Sequence, residues 1–437
     1  MNSISLAIFD ETLRDGEQQA GIYFSSEQKD KLAHLIAAVG VHDIDLMPVI
    51  ESTEAKLLSK LISDGLGSLM CPAVMLNRKY IDQARQTGVK KIILFGAVSD
   101  RLLFLRNSAI YKSDVLSSFS PNDVLPLTVV SELRETAASH ILDCLQYAAS
   151  GNHPLEIDFA AEDASRAHPE FLTRCMSDFS PYLRHFLLCD TVGCLTPEYT
   201  YRWVKELIAK VPGLNIGVHF HNDMGLALEN TLQAVLAGAS CVSGTFSGIG
   251  ERAGNVALEQ VLWGLKSRFG VVVEGINYPA ITPVLELLET YHALPERPYS
   301  EQARRHESGI HVSSLLKDAR SYSIFPYETP VIWFGKNSGA SNFKYLFDSV
   351  LCLPQSDELY ADLRDQLKKQ AYALNQSFSE TEVCLMLANG TLSVKNALKL
   401  KIREKLNTEL QLSAVPPPPK QRDAETETPM INTSVTA

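Results

Sequence analysis

The feature that most constrains this chain is a beat: a short β-rich run followed by an amphipathic helical stretch, repeated eight times between residues 6 and 270. The runs are LAIFDETL, DIDLMP, LMCPAVM, KKIILFGAV, LEIDFAAE, HFLLCDT, NIGVHFHND and CVSGTFSG. Their periodicity predicts helices near 25–39, 52–64, 78–87, 124–149, 169–179, 197–210, 225–237 and 256–269. Strands that alternate with helices pair in parallel, and eight such units have the count and size of a closed barrel rather than an open sheet. The expected fold class is α/β, a TIM (β/α)8 barrel over residues 1–270. In that fold the loops that follow the strands share one rim, and the rim carries the chemistry.

A chain of 437 residues leaves a remainder after such a barrel. Past Gly270 the rhythm breaks into helices and irregular stretches, a C-terminal helical extension whose pattern divides into a site-completing subdomain at 271–335 and a second subdomain at 336–412. From 413 to 437 a four-proline run lies among polar residues with almost no large apolar side chains. Such a segment cannot offset its ordering entropy and reads as a disordered tail. Residues 100–123 read as a long excursion between the fourth strand and its helix, a mobile loop over the rim.

Composition excludes several classes. No apolar run approaches the roughly 18 residues a membrane helix needs. The start, MNSISLAIFDETLRD, lacks the basic residues and apolar core of a signal peptide, so a cytoplasmic protein is expected. A formal charge of −11 argues against a nucleic-acid partner, whose binders concentrate Lys and Arg on one face. The eight cysteines form no CxxC pair and sit in settings such as FLLCDT, as buried reduced thiols do.

The motifs fall on the expected rim. In HFHND (219–223), His219 and His221 stand two apart in a predicted strand, so both imidazoles face one way and can share a metal. The plain alternative is a packed pair of core histidines. In DETLRDGEQ (10–18), Arg14, Asp15, Glu17 and Gln18 follow the first strand, where a solvated polar turn would also suit them. Asp15 and the histidine pair on one rim give two nitrogens and one carboxylate, a set that leaves coordination positions open for substrate. AAEDASR (160–166), CDTVG (189–193) and GIGERAGN (248–255) follow strands 5, 6 and 8. Their convergence on one end of the barrel marks an active site.

Together, DETLRDGEQ, AEDASR, HFHNDMGLALENTLQAVLAGA, GTFSGIGERAGN and HESGIHVSSLLKDARSY resemble the homocitrate synthase and 2-isopropylmalate synthase family, over most of residues 5–345. AEDASR and HESGIH look most like the homocitrate synthases of nitrogen-fixing bacteria. The resemblance implies an acyltransferase that joins acetyl-CoA, as co-substrate, to a 2-oxo acid and hydrolyses the thioester. It implies a divalent metal (Mn²⁺, Mg²⁺, Co²⁺ or Zn²⁺) on Asp15, His219 and His221, with Asn255 as a further ligand. Arg14 and Gln18 would contact the 2-oxo acid or its developing alkoxide, and Thr191 its carboxylate. Glu162, His311 and Tyr322 match the family's catalytic group, with His311, oriented by Glu162, as the base. His311 and Tyr322 are expected to reach across from the second subunit of a homodimer.

Three departures stand out. Where lysine-pathway homocitrate synthases carry an Arg and a Ser that grip a distal carboxylate, this chain has Asp158 and Ala160 before Glu162. Arg304 and Arg305 precede HESGIH and suggest an anion clamp, which would suit phosphonopyruvate and a 2-phosphonomethylmalate synthase; the alternative is a solvated basic pair. In GKNSG (335–339), Asn337 stands where relatives have His. A competing reading is a lyase on the same barrel resembling hydroxymethylglutaryl-CoA lyase, whose loop after strand 8 carries a cysteine that GIGERAGN lacks. A barrel kept only for binding would be expected to lose Asp15, His219 or His221.

Overall fold

The computed structural model describes residues 2–47, 52–110, 123–323 and 330–413. Its strands are β1 (Ala7–Asp10), β2 (Asp43–Ile44), β3 (Ala73–Met75), β4 (Lys91–Ala97), β5 (Glu156–Glu162), β6 (Leu183–Asp190), β7 (Ile216–Phe220) and β8 (Cys241–Gly244). They pair in parallel in the order β2-β1-β8-β7-β6-β5-β4-β3. The amides of Ile44, Cys71 and Ala73 bond to the carbonyls of Leu69, Ile44 and Leu46, which joins β2 to the run into β3 and completes the ring. This is the expected TIM barrel.

The helices that follow are α1 (Ser26–Val39), α2 (Ser52–Leu61), α3 (Arg78–Gln86), α4 (Asp100–Ile110), α5 (Leu127–Ala148), α6 (Pro169–Phe179), α7 (Pro197–Lys210), α8 (Ala227–Ala237) and α9 (Leu258–Phe269). Local chemistry sets their ends. At α1 the Ser25 hydroxyl accepts from the Gln28 amide while the Gln28 side chain accepts from the Ser25 amide, and Gly40, at φ 87°, closes the helix. Pro169 and Pro197 open α6 and α7 in the first turn, where a missing N–H costs nothing. Leu32, Ala33, Ile36 and Val39 on α1 are buried against the strands. Each fully buried aliphatic side chain of that size contributes about 1.5–3 kcal/mol.

Inside the ring, Phe9, Leu187 and Cys241 pack with Ala7 and Ala160 into an apolar plug. Toward the N-terminal ends of the strands lies an ion network. Arg184 bonds to Asp43 at 2.7 Å and to Asp158, Lys91 bonds to Asp43, and His185 Nδ1 lies 2.9 Å from Asp158. Asp43, Cys71 and Asp158 converge closely enough to suggest a cation site, but two protein cations already neutralise those carboxylates. Asp158 thus belongs to the barrel floor and not to the rim.

The stretch 100–123, read as a loop, begins as α4, because Leu102, Leu103 and Leu105 bury against the barrel wall. Residues 111–122 of that excursion lie outside the described residues. Past α9, Val271–Val273 pairs in parallel with Asn2–Ile4. The helical extension then continues with α10 (Ile281–Thr290), α11 (Gly309–Leu315), α12 (Ala340–Tyr345), α13 (Asp357–Leu374), α14 (Glu380–Asn389) and α15 (Asn396–Ser413). Two compact units divide the chain, Met1–Val383 and Cys384–Ala437. Within the second, Arg403 Nε and Lys399 Nζ donate to the carbonyls of Ala388 and Asn389 at 2.7 and 3.0 Å. Of the segment expected to be disordered, residues 414–437 lie outside the described residues.

Candidate active site

One cleft opens at the C-terminal ends of the strands, about 750 Å³ including its mouth, and Arg14, Asp15, Gln18, Glu162, Thr191, His219, His221 and His311 all line it. Strand alternation explains the histidine pair: His219 and His221 both point inward from the end of β7, with their Nε2 atoms 3.3 Å apart. Asp15 follows β1, and its Oδ2 lies 3.8 Å from His219 Nε2. One donor atom from each of these residues falls within 4.8 Å of the others.

The surroundings hold this trio ready for a cation. His219 Nδ1 lies 3.1 Å from Ser243 Oγ and 3.2 Å from Glu11 Oε1, and Ser243 in turn donates to Glu11. Such a partner on Nδ1 leaves Nε2 as the ligating nitrogen. Burial brings His219 down to about 4 and His221 well below its ordinary range, so both rings are neutral, as metal ligation requires. Burial pushes the Asp15 carboxyl up, but the neighbouring Arg14 guanidinium, with the Asn255 hydrogen bond among its supports, holds the group well below the usual carboxylate range. Asn255 Nδ2 donates to Asp15 Oδ1 at 2.9 Å, while Asn255 Oδ1 and His221 Nδ1 are buried with no hydrogen-bond partner among the described residues. An orphaned amide oxygen beside two neutral imidazoles and an ionised carboxylate fits a divalent ion. Gly250 is required here, since a Cβ on it would lie 2.1 Å from Asn255 Nδ2 and 2.8 Å from Asp15 Oδ1.

Beside the trio, Arg14 spans three carboxylates. Its Nε bonds to Asp45 at 2.8 Å, its Nη1 to Asp15 at 3.0 Å, and its Nη2 pairs with Glu11. The Gln18 side chain accepts from Arg14 at 3.3 Å. Thr191 Oγ1 accepts from the Asp163 amide at 2.8 Å, which leaves its own hydrogen to donate into the cleft.

The opposite wall holds the acid–base groups. Arg106 on α4 grips Glu162 with both terminal nitrogens, one of them at 2.6 Å, and the Tyr322 hydroxyl donates to Glu162 Oε1 at 2.6 Å. Burial pushes Glu162 up, but Arg106, their hydrogen bonds and nearby His311 bring it below its ordinary value. His311 stacks on Tyr322 with ring centroids 3.8 Å apart, and its Nδ1 lies 2.6 Å from Glu251 Oε2. The carboxylate beside His311 Nδ1 is Glu251, from the loop after β8, while Glu162 is committed to Arg106 and Tyr322.

Within this chain, residues 305–322 return to the rim of the barrel and carry His311 and Tyr322 to it. There Arg166 donates to the carbonyls of Arg320 and Ser321 at 2.7 and 2.8 Å, and Lys317 to the carbonyl of Leu105 at 2.9 Å. One further expectation is corrected, the clamp by Arg304 and Arg305: they do not line the metal-side cleft. Arg304 borders a neighbouring one with Asp223 and Arg252, while Arg305 sits 3.7 Å from Glu296 and over the Trp333 ring at 4.7 Å. Neither can clamp a substrate in the cleft described above. Asn337 lies apart as well, its side chain donating to the Glu17 carbonyl at 3.4 Å.

Sequence reasoning missed Arg106 and the pairing role of Glu251. Arg106 lay in a stretch read as a loop, and the signal that could have found it was the apolar LLFL run, which gives α4 its buried face.

A closed parallel barrel with a carboxylate and two neutral histidines at its C-terminal mouth, facing Glu162, Glu251, His311 and Tyr322, defines a metal-dependent barrel enzyme. The chain belongs to the HMGL-like family, whose model matches residues 5–118 and 125–288. It is 35% identical over 349 residues to homocitrate synthase AksA of Methanopyrus kandleri, covering 76% of this chain and 79% of that protein. A homocitrate synthase of Sulfurisphaera tokodaii is 31% identical over 336 residues, 75% of this chain and 67% of that one. Among solved structures, hydroxymethylglutaryl-CoA lyase from Pseudomonas aeruginosa superposes with a TM-score of 0.53 at 19% identity, over 69% of this chain and 97% of that one. That likeness concerns the fold alone.

Proposed function

We propose that this enzyme condenses acetyl-CoA with a 2-oxo acid and hydrolyses the thioester product to a 2-substituted malate and CoA. The observation that carries the reading is the cleft itself, where Asp15, His219 and His221 face His311, Glu251, Glu162 and Tyr322. The homocitrate synthases to which the chain is similar support it. A divalent ion on Asp15, His219 and His221, with Asn255 beside them, would polarise the ketone of the 2-oxo acid. Thr191 would donate to the substrate carboxylate. Arg14, positioned by Asp45 and Gln18, would offset charge growing on the ketone oxygen. His311 would take a proton from the acetyl methyl group at Nε2, with the Glu251 carboxylate beside its Nδ1. Glu162, kept ionised by Arg106, would stabilise the imidazolium so formed.

The lyase reading is weaker on a specific ground. The loop after β8 presents Glu251, paired with His311, and the nearest cysteine in the cleft, Cys189, is buried with its thiol pushed up. No helix among the described residues is long and apolar enough to cross a membrane. The family resemblance supports a cytoplasmic homodimer, which light scattering on the purified protein would check.

Release of CoA from acetyl-CoA, followed across a panel of 2-oxo acids, tests the reading. Chelation should abolish release, and Mn²⁺, Mg²⁺, Co²⁺ or Zn²⁺ should restore it. Full turnover by exhaustively metal-free protein, or cleavage of hydroxymethylglutaryl-CoA with no condensation, would sink the proposal.

A further inference from the structure

The order of strands around the ring decides what the substrate's third substituent meets. The metal-side donors stand on β7 and after β1, and Thr191 follows β6. If the 2-oxo acid places its ketone and carboxylate there, as the proposed function requires, its remaining substituent points across the mouth toward β3, β4 and β5. Apart from Glu162, which ends β5 and is held by Arg106, the cleft's lining from those strands is Ala73, Ile93, Phe95 and Ala160, joined by Met47 after β2. All of these side chains are apolar, and the two alanines leave the room.

Charge bookkeeping in the cleft agrees. Its cationic side chains among the described residues are Arg14 and Arg106. Arg14 is already shared among Glu11, Asp15 and Asp45, and Arg106 is held by both oxygens of Glu162. Carboxylates already outnumber those cations, since Glu11, Asp15, Glu162 and Glu251 all line the same space. Asp158, two positions before Ala160 on β5, is locked to Arg184 and His185 in the barrel floor and offers nothing to an anion. A second anionic group on the substrate would be desolvated against hydrocarbon with no unshared cation to meet it, which is costly.

We infer that the 2-oxo acid used by this enzyme carries an uncharged hydrocarbon side chain, seated on Ala73, Ile93, Phe95 and Ala160 across the barrel mouth from Asp15, His219 and His221. This inference rests on the condensation reading. It replaces the expectation of a strongly anionic substrate, whose clamp residues, Arg304 and Arg305, lie elsewhere.

The test compares kcat/KM for pyruvate, 2-oxobutanoate and 2-oxoisovalerate with that for 2-oxoglutarate and phosphonopyruvate, using metal-loaded full-length protein. The best aliphatic acid should exceed both dianions by about 10²-fold or more. Ala160→Leu should then lower kcat/KM for 2-oxoisovalerate by roughly 10-fold while changing that for pyruvate by less than about 3-fold, and Ala73→Leu provides the same check from β3. Unchanged circular dichroism and metal content would show that each variant still folds. Preference for either dianion would overturn the inference while leaving the condensation reading intact, and loss of that preference in Arg106→Ala would identify the clamp. An equal loss for all acids in both leucine variants would also overturn it. No CoA release with any acid of the panel would overturn the condensation reading, and this inference with it.

Discussion

At the scale of single residues, the site depends on contacts that allow little substitution. Glu251 Oε2 lies 2.6 Å from His311 Nδ1, so Glu251→Gln keeps the size of the group and removes the charge beside the ring. The variant should lose about 10–10²-fold in kcat with KM for the 2-oxo acid little changed; steady-state kinetics checks this. An unchanged kcat would return the orienting role to Glu162. Gly250→Ala should weaken metal binding by about 10- to 100-fold, because its Cβ would displace Asn255 and Asp15. Metal titration of variant protein with native circular dichroism measures the effect, and full affinity would remove Asn255 and Gly250 from the ligand environment. Arg14, Asp15, His219 and His221 were legible as site residues because short spacings on one strand or one loop fix where side chains point. Arg106, Glu251 and the displacement of Arg304 and Arg305 were not, since each depends on which element lies opposite.

At the scale of elements, strand and helix positions followed the alternation of apolar runs, and α6 and α7 matched their expected spans because a proline opens each. Strand ends were overextended: β2 and β8 stop early, where the chain turns into rim loops that no periodicity marks. The missed helix α4 has few buried apolar positions, and a long polar stretch after it obscured them. The floor network joins β2, β4, β5 and β6 through Arg184, Lys91, Asp43 and Asp158. Arg184→Met would leave two buried carboxylates each short of a partner and should cost about 2–4 kcal/mol, read by urea unfolding. A loss below about 0.5 kcal/mol would mean that Lys91 and His185 suffice to neutralise the floor.

At the scale of the whole molecule, residues 305–322 pack on the rim of the barrel within this chain. Arg101 pairs with Asp318 and Arg106 with Glu162 and Tyr322, so α4 and the segment around α11 are joined by charge as well as packing. Mixing Asp15→Asn chains with His311→Ala chains should therefore restore no activity, because neither chain holds a complete site. Regained CoA release in the mixture would show that the extension is exchanged between subunits.

The amino-acid sequence alone determined the barrel, the rim on which its polar motifs fall, and the meeting of Asp15, His219 and His221 as candidate donors, because these rest on periods of about two and 3.6 residues and on neighbours a few positions apart. Tertiary structure decided the pairing of His311 with Glu251, the hold of Arg106 on Glu162, the burial of Asp158 in the floor and the exclusion of Arg304 and Arg305. Those contacts join residues from 26 to more than 200 positions apart, such as Asp158 with Arg184 and Arg106 with Tyr322. No local pattern encodes them, since they exist only once the ring has closed and residues 305–322 have come to rest on it.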